Sequence, residues 1–374
     1  MRDDAVEALP DTPTDARRSP RPESMAETAA APTADAAAPP TTASSSTAPA
    51  DKEEAVPRYV VLLAMCAALN SCNLGYDIGV NSGVGPHLQA KGEGMNLSDL
   101  QLELFFGIFG LAAMLGAAVA YTASDGLGRR KAFACTSITF IIGVLWTATA
   151  TSYPSLMMGR FVTGLGVGLG LAIDPVYIAE VSPPKHRGRL VTWSETATNV
   201  GILLGFVSGF AFRDAGEAGW RSMLALGAVI PAVLLVLVFT FMPESPRWLV
   251  AKGRSEEAKL ILRRCYPPSS DVDAVVAAIQ SAIEEERNAS NAYGWSALLW
   301  RPTKTTKRML IVGVGVAMSQ QTTAIEAIQY YILYILADAG VKTRSKQFGI
   351  LLLIGCIKVV VIVVAGRLFD HPKL

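Results

Sequence analysis

Apolar residues gather in runs at about 59–85, 100–123, 132–152, 155–181, 190–212 and 222–242, and again, after a long polar stretch, at 309–336 and 347–366. At ~1.5 Å per residue each run can cross a ~30 Å hydrocarbon layer as one helix. The pattern therefore predicts six spanning helices, a break, and two more. Charges between the runs alternate. Arg129, Arg130 and Lys131 follow the second run and Lys185, Arg187 and Arg189 the fourth, whereas the loop after the first carries only Lys91 and the loop after the third no Lys or Arg. The positive-inside rule then puts the amino terminus and the basic loops in the cytoplasm. Lys342, Arg344 and Lys346, after the seventh run, go against that rule. Asn96-Leu97-Ser98 would face outside as a glycosylation acceptor.

The polar stretch from Pro243 to Arg308 contains SEEAKLILRRC and DVDAVVAAIQSAIEEERN, separated by Pro-Pro-Ser-Ser. Both have helical period and neither lasts three heptads, which favours amphipathic connecting helices over a coiled coil. Residues 1–57 are mostly Ala, Pro, Ser and Thr and read as a disordered cytoplasmic tail. Asp3, Asp4, Glu7, Asp11 and Asp15 argue against a transit peptide.

Composition fits this layout. The 374 residues are 51% hydrophobic and 17% charged, with a net charge of +1, which places the chain in a lipid bilayer and gives no reason to expect nucleic acid. Five cysteines without a CxxC spacing support neither a disulfide framework nor a metal site. Only three histidines are present, with no HExxH and no Ser-His pairing, so an enzyme is not expected and no cofactor is implied. His87 and His186 read as solvated loop residues.

The run from Gly159 to Arg189 concentrates the chemistry. Its glycines at 164, 166, 168 and 170 do not fit GxGxxG, because the third glycine would fall on Leu169 or Leu171, and close helix packing is the better reading. Arg160 near its start and Asp77 in the first run lie at comparable depth, counted from Pro154 and Pro86. Either charge alone in lipid is costly, so the two are expected to pair. A static bridge that fixes packing and a proton switch that loads or releases as the helices shift are both consistent with such a pair. Thr192, Glu195 and Asn199 share a face of the fifth run, and Thr322, Glu326 and Gln329 share one on the seventh, alongside Gln320, Gln321, Tyr330 and Tyr331. Lys358 lies near the middle of the eighth. This is an inventory suited to a small polyhydroxylated solute.

Several motifs then line up in order. They are Gly75-Tyr76-Asp77, Asp125-Gly126-Leu127-Gly128-Arg129-Arg130-Lys131, Gly159-Arg160, Pro175-Val176-Tyr177, Ala179-Glu180-Val181-Ser182 and Arg187-Gly188. Pro243-Glu244-Ser245-Pro246-Arg247-Trp248, Gln320-Gln321 and Tyr330-Tyr331 complete the set. Over residues 58–374 the chain resembles the sugar porter family of the major facilitator superfamily, and most of all the plant-type polyol and inositol proton symporters. The resemblance implies an all-α membrane fold, with a complete six-helix amino-terminal bundle over 58–242, a cytoplasmic linker over 243–308, and an incomplete carboxy-terminal half over 309–374. It moves the even choice at Asp77 and Arg160 toward proton coupling. It implies substrate-binding positions at Glu195, Gln320, Gln321, Glu326, Tyr331 and Lys358. It also implies a cytoplasmic charge network of Asp125, Arg129, Arg130, Glu180, Arg187, Glu244 and Arg247.

The implied function is proton-coupled symport of a sugar, polyol or inositol by alternating access, in an integral multi-pass protein of the plasma membrane. A non-transporting solute sensor, a facilitative uniporter and an inactive fragment are the alternatives. Departures from the family pattern are Tyr121 in place of a glycine, which should crowd the neighbouring helix, Ala324 in place of another, Glu326 for Asn or Asp, and Ile202 where sugar-binding members often carry glutamine. Asp174, usually a small residue, is read as a local hydrogen-bond partner in preference to a second titrating group. The family has twelve spans and this chain eight, and Gly366 to Asp370 repeat the Gly-x-x-x-Asp opening of the first charged loop. A truncated gene or fragment is the expectation, and transport is not expected if the chain is complete as given.

Overall fold

The computed structural model describes residues 56–92, 94–292 and 303–369. The tail read over 1–57 therefore lies, up to residue 55, outside the described residues, as does Asp370. Among the described residues the spanning part begins with α1 (Arg58–Gln89), α2 (Asp99–Leu127), α3 (Arg129–Thr149), α4 (Tyr153–Val181) and α5 (Arg187–Phe212). A sixth segment is made of α6 (Gly216–Leu226) and α7 (Val229–Thr240). Three helices of the polar stretch follow, α8 (Pro246–Ala251), α9 (Ser255–Cys265) and α10 (Val272–Ala292), then α11 (Lys304–Thr322), α12 (Ile325–Asp338) and α13 (Arg344–Phe369).

Local chemistry sets the boundaries. Ser98 starts α2 through a capping box, its Oγ accepting from the Gln101 amide at 3.3 Å while the Gln101 side chain accepts from the Ser98 amide at 3.0 Å. Gly128, at φ 91°, ends α2 and starts α3. A side chain there would also displace the Glu244 carboxylate, which accepts from the Arg129 and Arg130 amides. Pro86 does not close α1, which runs on to Gln89, and His87 is consequently a buried helical residue and not a solvated loop histidine.

Seven segments among the described residues are long and apolar enough to cross a membrane, counting α6 and α7 as one. The run expected as a single span at 309–336 is not among them, because the chain breaks between α11 and α12. At the break Ala324 adopts φ 50°. That conformation is costly for an L residue with a Cβ.

The glycine run of α4 is a packing device on three sides. A Cβ at Gly164 or Gly168 would meet Phe109, Ala112 or Ala113 of α2, one at Gly166 the Phe140 backbone of α3, and one at Gly170 the Asn70 amide of α1. Gly75 and Gly79 of α1 meet Thr198 and Ile202 of α5 in the same way, and Gly201 and Gly205 of α5 return the contact on Cys72 and Tyr76. Such close backbone approaches replace the hydrophobic drive that helices lack in lipid. Tyr121, expected to crowd a neighbour, instead points outward at 67% exposure. Ile202 is buried in an apolar cluster with Ile78, Phe206 and Phe348.

Candidate functional site

The centre of the site is an ion pair between α1 and α4. Arg160 Nη1 donates to Asp77 Oδ1 at 2.6 Å and to Oδ2 at 2.8 Å, and the two residues are 1% and 3% exposed. Arg160 is seven residues into α4, ~10 Å from its first residue. The rings of Phe109 and Phe105 lie 4.1 and 5.0 Å from the guanidinium carbon and supply cation–π contact on a side that has no second carboxylate. Sequence reasoning missed these two rings, although Phe105 and Phe109 fall four apart on a helix, the spacing that puts both on one face.

The preceding residues explain the local motif. Gly75 lets α5 close on α1, and the Tyr76 hydroxyl donates to the Met223 carbonyl of α6 at 2.7 Å, which fixes the turn that presents Asp77. Only one nitrogen of Arg160 is committed to the acid. Its Nε and Nη2 are buried without a hydrogen-bond partner among the described residues, and the Tyr330 hydroxyl of α12 faces the same group. A buried cation with two uncommitted donors is poised to bind something else.

The polar residues of the seventh run are divided by the break. Gln320 and Gln321 of α11 and Glu326 and Tyr331 of α12 line one depression of about 380 Å³, with Tyr330 and with Glu103 and Phe106 of α2. Tyr330 stacks on Phe106 with centroids 4.7 Å apart, and Tyr331 meets the same ring edge-on. Thr322 does not share a face with Glu326 and Gln329 as its spacing predicts, because the Ala324 turn intervenes; its hydroxyl donates to the Met318 carbonyl instead. Glu195 and Lys358 lie outside this depression. Lys358 Nζ donates to Gln329 Oε1 at 3.0 Å, with Glu195 and Glu326 within electrostatic reach, and the Gln329 carbonyl accepts from Ser82 of α1 at 2.7 Å. Gln329 thus ties α1, α12 and α13 together.

At the basic ends of the helices a second set converges. Arg129 makes a two-pronged contact with Glu180, at 3.0 Å from Nε and 2.9 Å from Nη2, and its Nη1 reaches Asp125 at 2.9 Å. Glu244 accepts from the backbone amides of Arg129 and Arg130 at 2.7 and 3.2 Å, a carboxylate at the positive end of α3. The Arg130 guanidinium does not join the acids but donates to the Val238 and Phe239 carbonyls at the end of α7. Arg247 pairs with Glu286 of α10 at 2.7 Å. Arg187, expected in this network, is exposed and lies near Tyr266.

Helices of this length, packed by glycines around a buried ion pair, define an integral multi-pass membrane protein of the all-α class. Over residues 63–371 the chain matches the family described as "Sugar (and other) transporter". It therefore belongs to the sugar porter family of the major facilitator superfamily. It is 36% identical over 314 residues to "Probable polyol transporter 4" of Arabidopsis thaliana, covering 84% of this chain and 59% of that protein. It is 37% identical over 291 residues to the human "Proton myo-inositol cotransporter", covering 78% and 44%. The structure of the proton:xylose symporter XylE bound to 6-bromo-6-deoxy-D-glucose superposes with a TM-score of 0.74 at 25% identity, over 84% of this chain and 70% of that one. The chain thus spans less than two thirds of the length of these curated relatives.

Proposed function

We propose that this chain carries the coupling machinery of a secondary carrier that moves a sugar, polyol or inositol together with a proton by alternating access. Asp77 is the proton site and Arg160 its partner. Protonation of Asp77 removes the charge that holds Nη1, and the guanidinium is then free to turn its donors elsewhere, so a helix shift follows from loss of one ion pair. Glu195, Gln320, Gln321, Glu326, Tyr331 and Lys358 contact the solute. The Asp125, Arg129, Glu180, Glu244 and Arg247 cluster acts as a latch, built of ion pairs near water that break and re-form at modest cost. The basic loops lie in the cytoplasm with the amino terminus, and the membrane is the plasma membrane.

The observation that carries the reading is the buried Asp77–Arg160 pair with two Arg160 donors left over, in a chain of the sugar porter family whose relatives include one named a proton myo-inositol cotransporter. The test is uptake of labelled myo-inositol, sorbitol and xylose by the chain in liposomes. The expected result is counterflow of at least one of them and accumulation driven by an inward proton gradient. Asp77→Asn should abolish accumulation and spare counterflow. Absence of counterflow for all three solutes would favour a solute sensor or an inactive fragment, and unchanged accumulation in Asp77→Asn a carrier with a fixed pair.

A further inference from the structure

We propose that Asp174 is a second proton-binding carboxyl, joined to the Asp77–Arg160 pair by a hydrated polar seam between α1 and α4; this rests on the proton-coupled reading above. The Asp174 side chain is 1% exposed, seven residues before the end of spanning helix α4. Asn70 Nδ2 donates to its Oδ1 at 3.0 Å, and Ser71 Oγ lies 2.7 Å from Oδ2. No charged side chain among the described residues reaches it, from α1 or from the other helices around α4. An ionised carboxylate in that place would carry an uncompensated buried charge, whereas the neutral acid is satisfied by the partners it has. A hydroxyl both donates and accepts, so the Ser71 contact suits an acid O–H as donor.

The surroundings are shaped for this acid. Gly170, one turn earlier, leaves room for Asn70, since a Cβ there would collide with its amide. Pro175 has no amide hydrogen, so the Leu171 carbonyl is left without its helical donor beside the carboxyl. Asn70, Asn73, Asp77 and Asn81 fall at spacings of three and four on one face of α1. Asn73 is 1% exposed, and among the described residues neither polar atom of its amide has a hydrogen-bond partner, nor do Asn81 Oδ1, Arg160 Nε and Arg160 Nη2. Orphaned buried groups in such a row call for ordered water. Asn70 and Asp77 are ~10 Å apart along α1, with Asn73 between them. Near the basic end, Ala172, Ile173 and Val176 line a cavity of about 840 Å³, so water reaches the turn that carries Asp174 without touching its carboxyl. In the relay, once Asp174 has given up its proton toward the basic end, the Asp77 O–H bond breaks as the first seam water gains a proton, and at the other end the Asp174 carboxylate takes one from the last water of the chain, so the proton moves inward.

The infrared carbonyl band of a neutral carboxylic acid tests this on the chain in liposomes, without solute, so a chain that moves no solute still gives an answer. The expected result is a band that is lost in Asp174→Asn, shifted in Asp174→Glu and retained in Asp77→Asn. It should fade as pH is raised and exchange its proton in D₂O, and Asn73→Leu should slow that exchange at least several-fold. A spectrum unchanged by both Asp174 substitutions overturns the assignment. A band that is insensitive to pH and to D₂O overturns the relay and leaves a static hydrogen bond. Equal exchange rates in Asn73→Leu and wild type overturn the seam as the route.

Discussion

α1 and α13 are both spanning helices with a charged side chain near the middle, yet they are placed very differently. Two thirds of the most apolar stretch of α1 is buried and only 17% of that of α13, and Asp77 is sealed against Arg160 while Lys358 holds a single amide oxygen. The Asp77–Arg160 charges of the amino-terminal helices are paired and buried. In the eighth segment Lys358 is held by the Gln329 amide, with Glu195 and Glu326 within electrostatic reach. The difference lies in what each charge needs: a buried pair must stay matched for α1 and α4 to keep their contact, so a change of charge on Asp77 acts on the whole bundle, whereas Lys358 is held by one amide oxygen and loses little when removed.

Breaking the sealed pair should have the largest effect. Arg160→Met strands the Asp77 carboxyl and should destabilise the bundle by about 3–5 kcal/mol, with most of that recovered in the double variant Asp77→Leu with Arg160→Met. Denaturant unfolding in detergent measures both. Lys358→Met should lie within about 1 kcal/mol of wild type, since it removes one hydrogen bond from a half-exposed site. Similar losses in Arg160→Met and Lys358→Met would erase the contrast.

The packing side of the comparison is tested with one substitution placed twice. Gly168→Leu must push α2 off α4 and should cost about 1–3 kcal/mol or more. Gly315→Leu on α11 meets nothing within 4 Å and should gain up to about 1 kcal/mol from helix propensity. At the break in the seventh segment, Ala324→Gly should stabilise by about 1 kcal/mol through relief of its left-handed backbone. The same change should leave the Asp77–Arg160 pair untouched, which the Tm difference between Ala324→Gly in wild type and in Arg160→Met checks by additivity.

The smallest effect belongs to the connecting helices. Lys259 Nζ bridges Asp273 at 2.8 Å and Glu256 at 3.0 Å, clipping α10 to α9. Its hydrogen bond and charge hold the Asp273 carboxyl below the ordinary 3.8, and the same acids hold the Lys259 ammonium above its ordinary 10.5. The Asp273 contribution is complete above 3.8 and fades as pH falls through the lowered value; the Lys259 contribution is complete below 10.5 and fades as pH rises through the raised one. Hydrogen exchange of the α10 amides should therefore quicken slightly at both extremes beyond its intrinsic pH dependence. Lys259→Gln should abolish both inflections.

How much of this was legible in the sequence depended on cost. Two lone charges in apolar runs demand a partner, and at matching depth on different helices Asp77 and Arg160 could only be paired or ruinous. Glycines at every second position of α4 had no reason to persist in a helix except close neighbours, and the structure uses each on a defined side. What could not be read were features with cheap alternatives. The break at Ala324 was hidden because alanine is the best of helix formers and nothing in its chemistry announces a left-handed turn. Thr322 was accordingly placed on the wrong face. Arg187 and Arg130 carry the same charge as Arg129, and sequence has no means of telling which of three neighbouring arginines will reach the acids and which will cap a helix end or face water. Tyr121 shows the same limit, since a large residue near a crowded helix can rotate outward at no cost.

The central claim, that the carboxyl sealed against Arg160 is the proton site of a solute carrier, is tested most directly by proton movement itself. A weakly buffered suspension of liposomes bearing the chain is given an inward gradient of whichever of myo-inositol, sorbitol or xylose shows counterflow, and external pH is followed. Wild type should alkalinise the medium as solute enters, while Asp77→Asn should show solute entry with no pH change. An equal rise in external pH in Asp77→Asn would contradict the account.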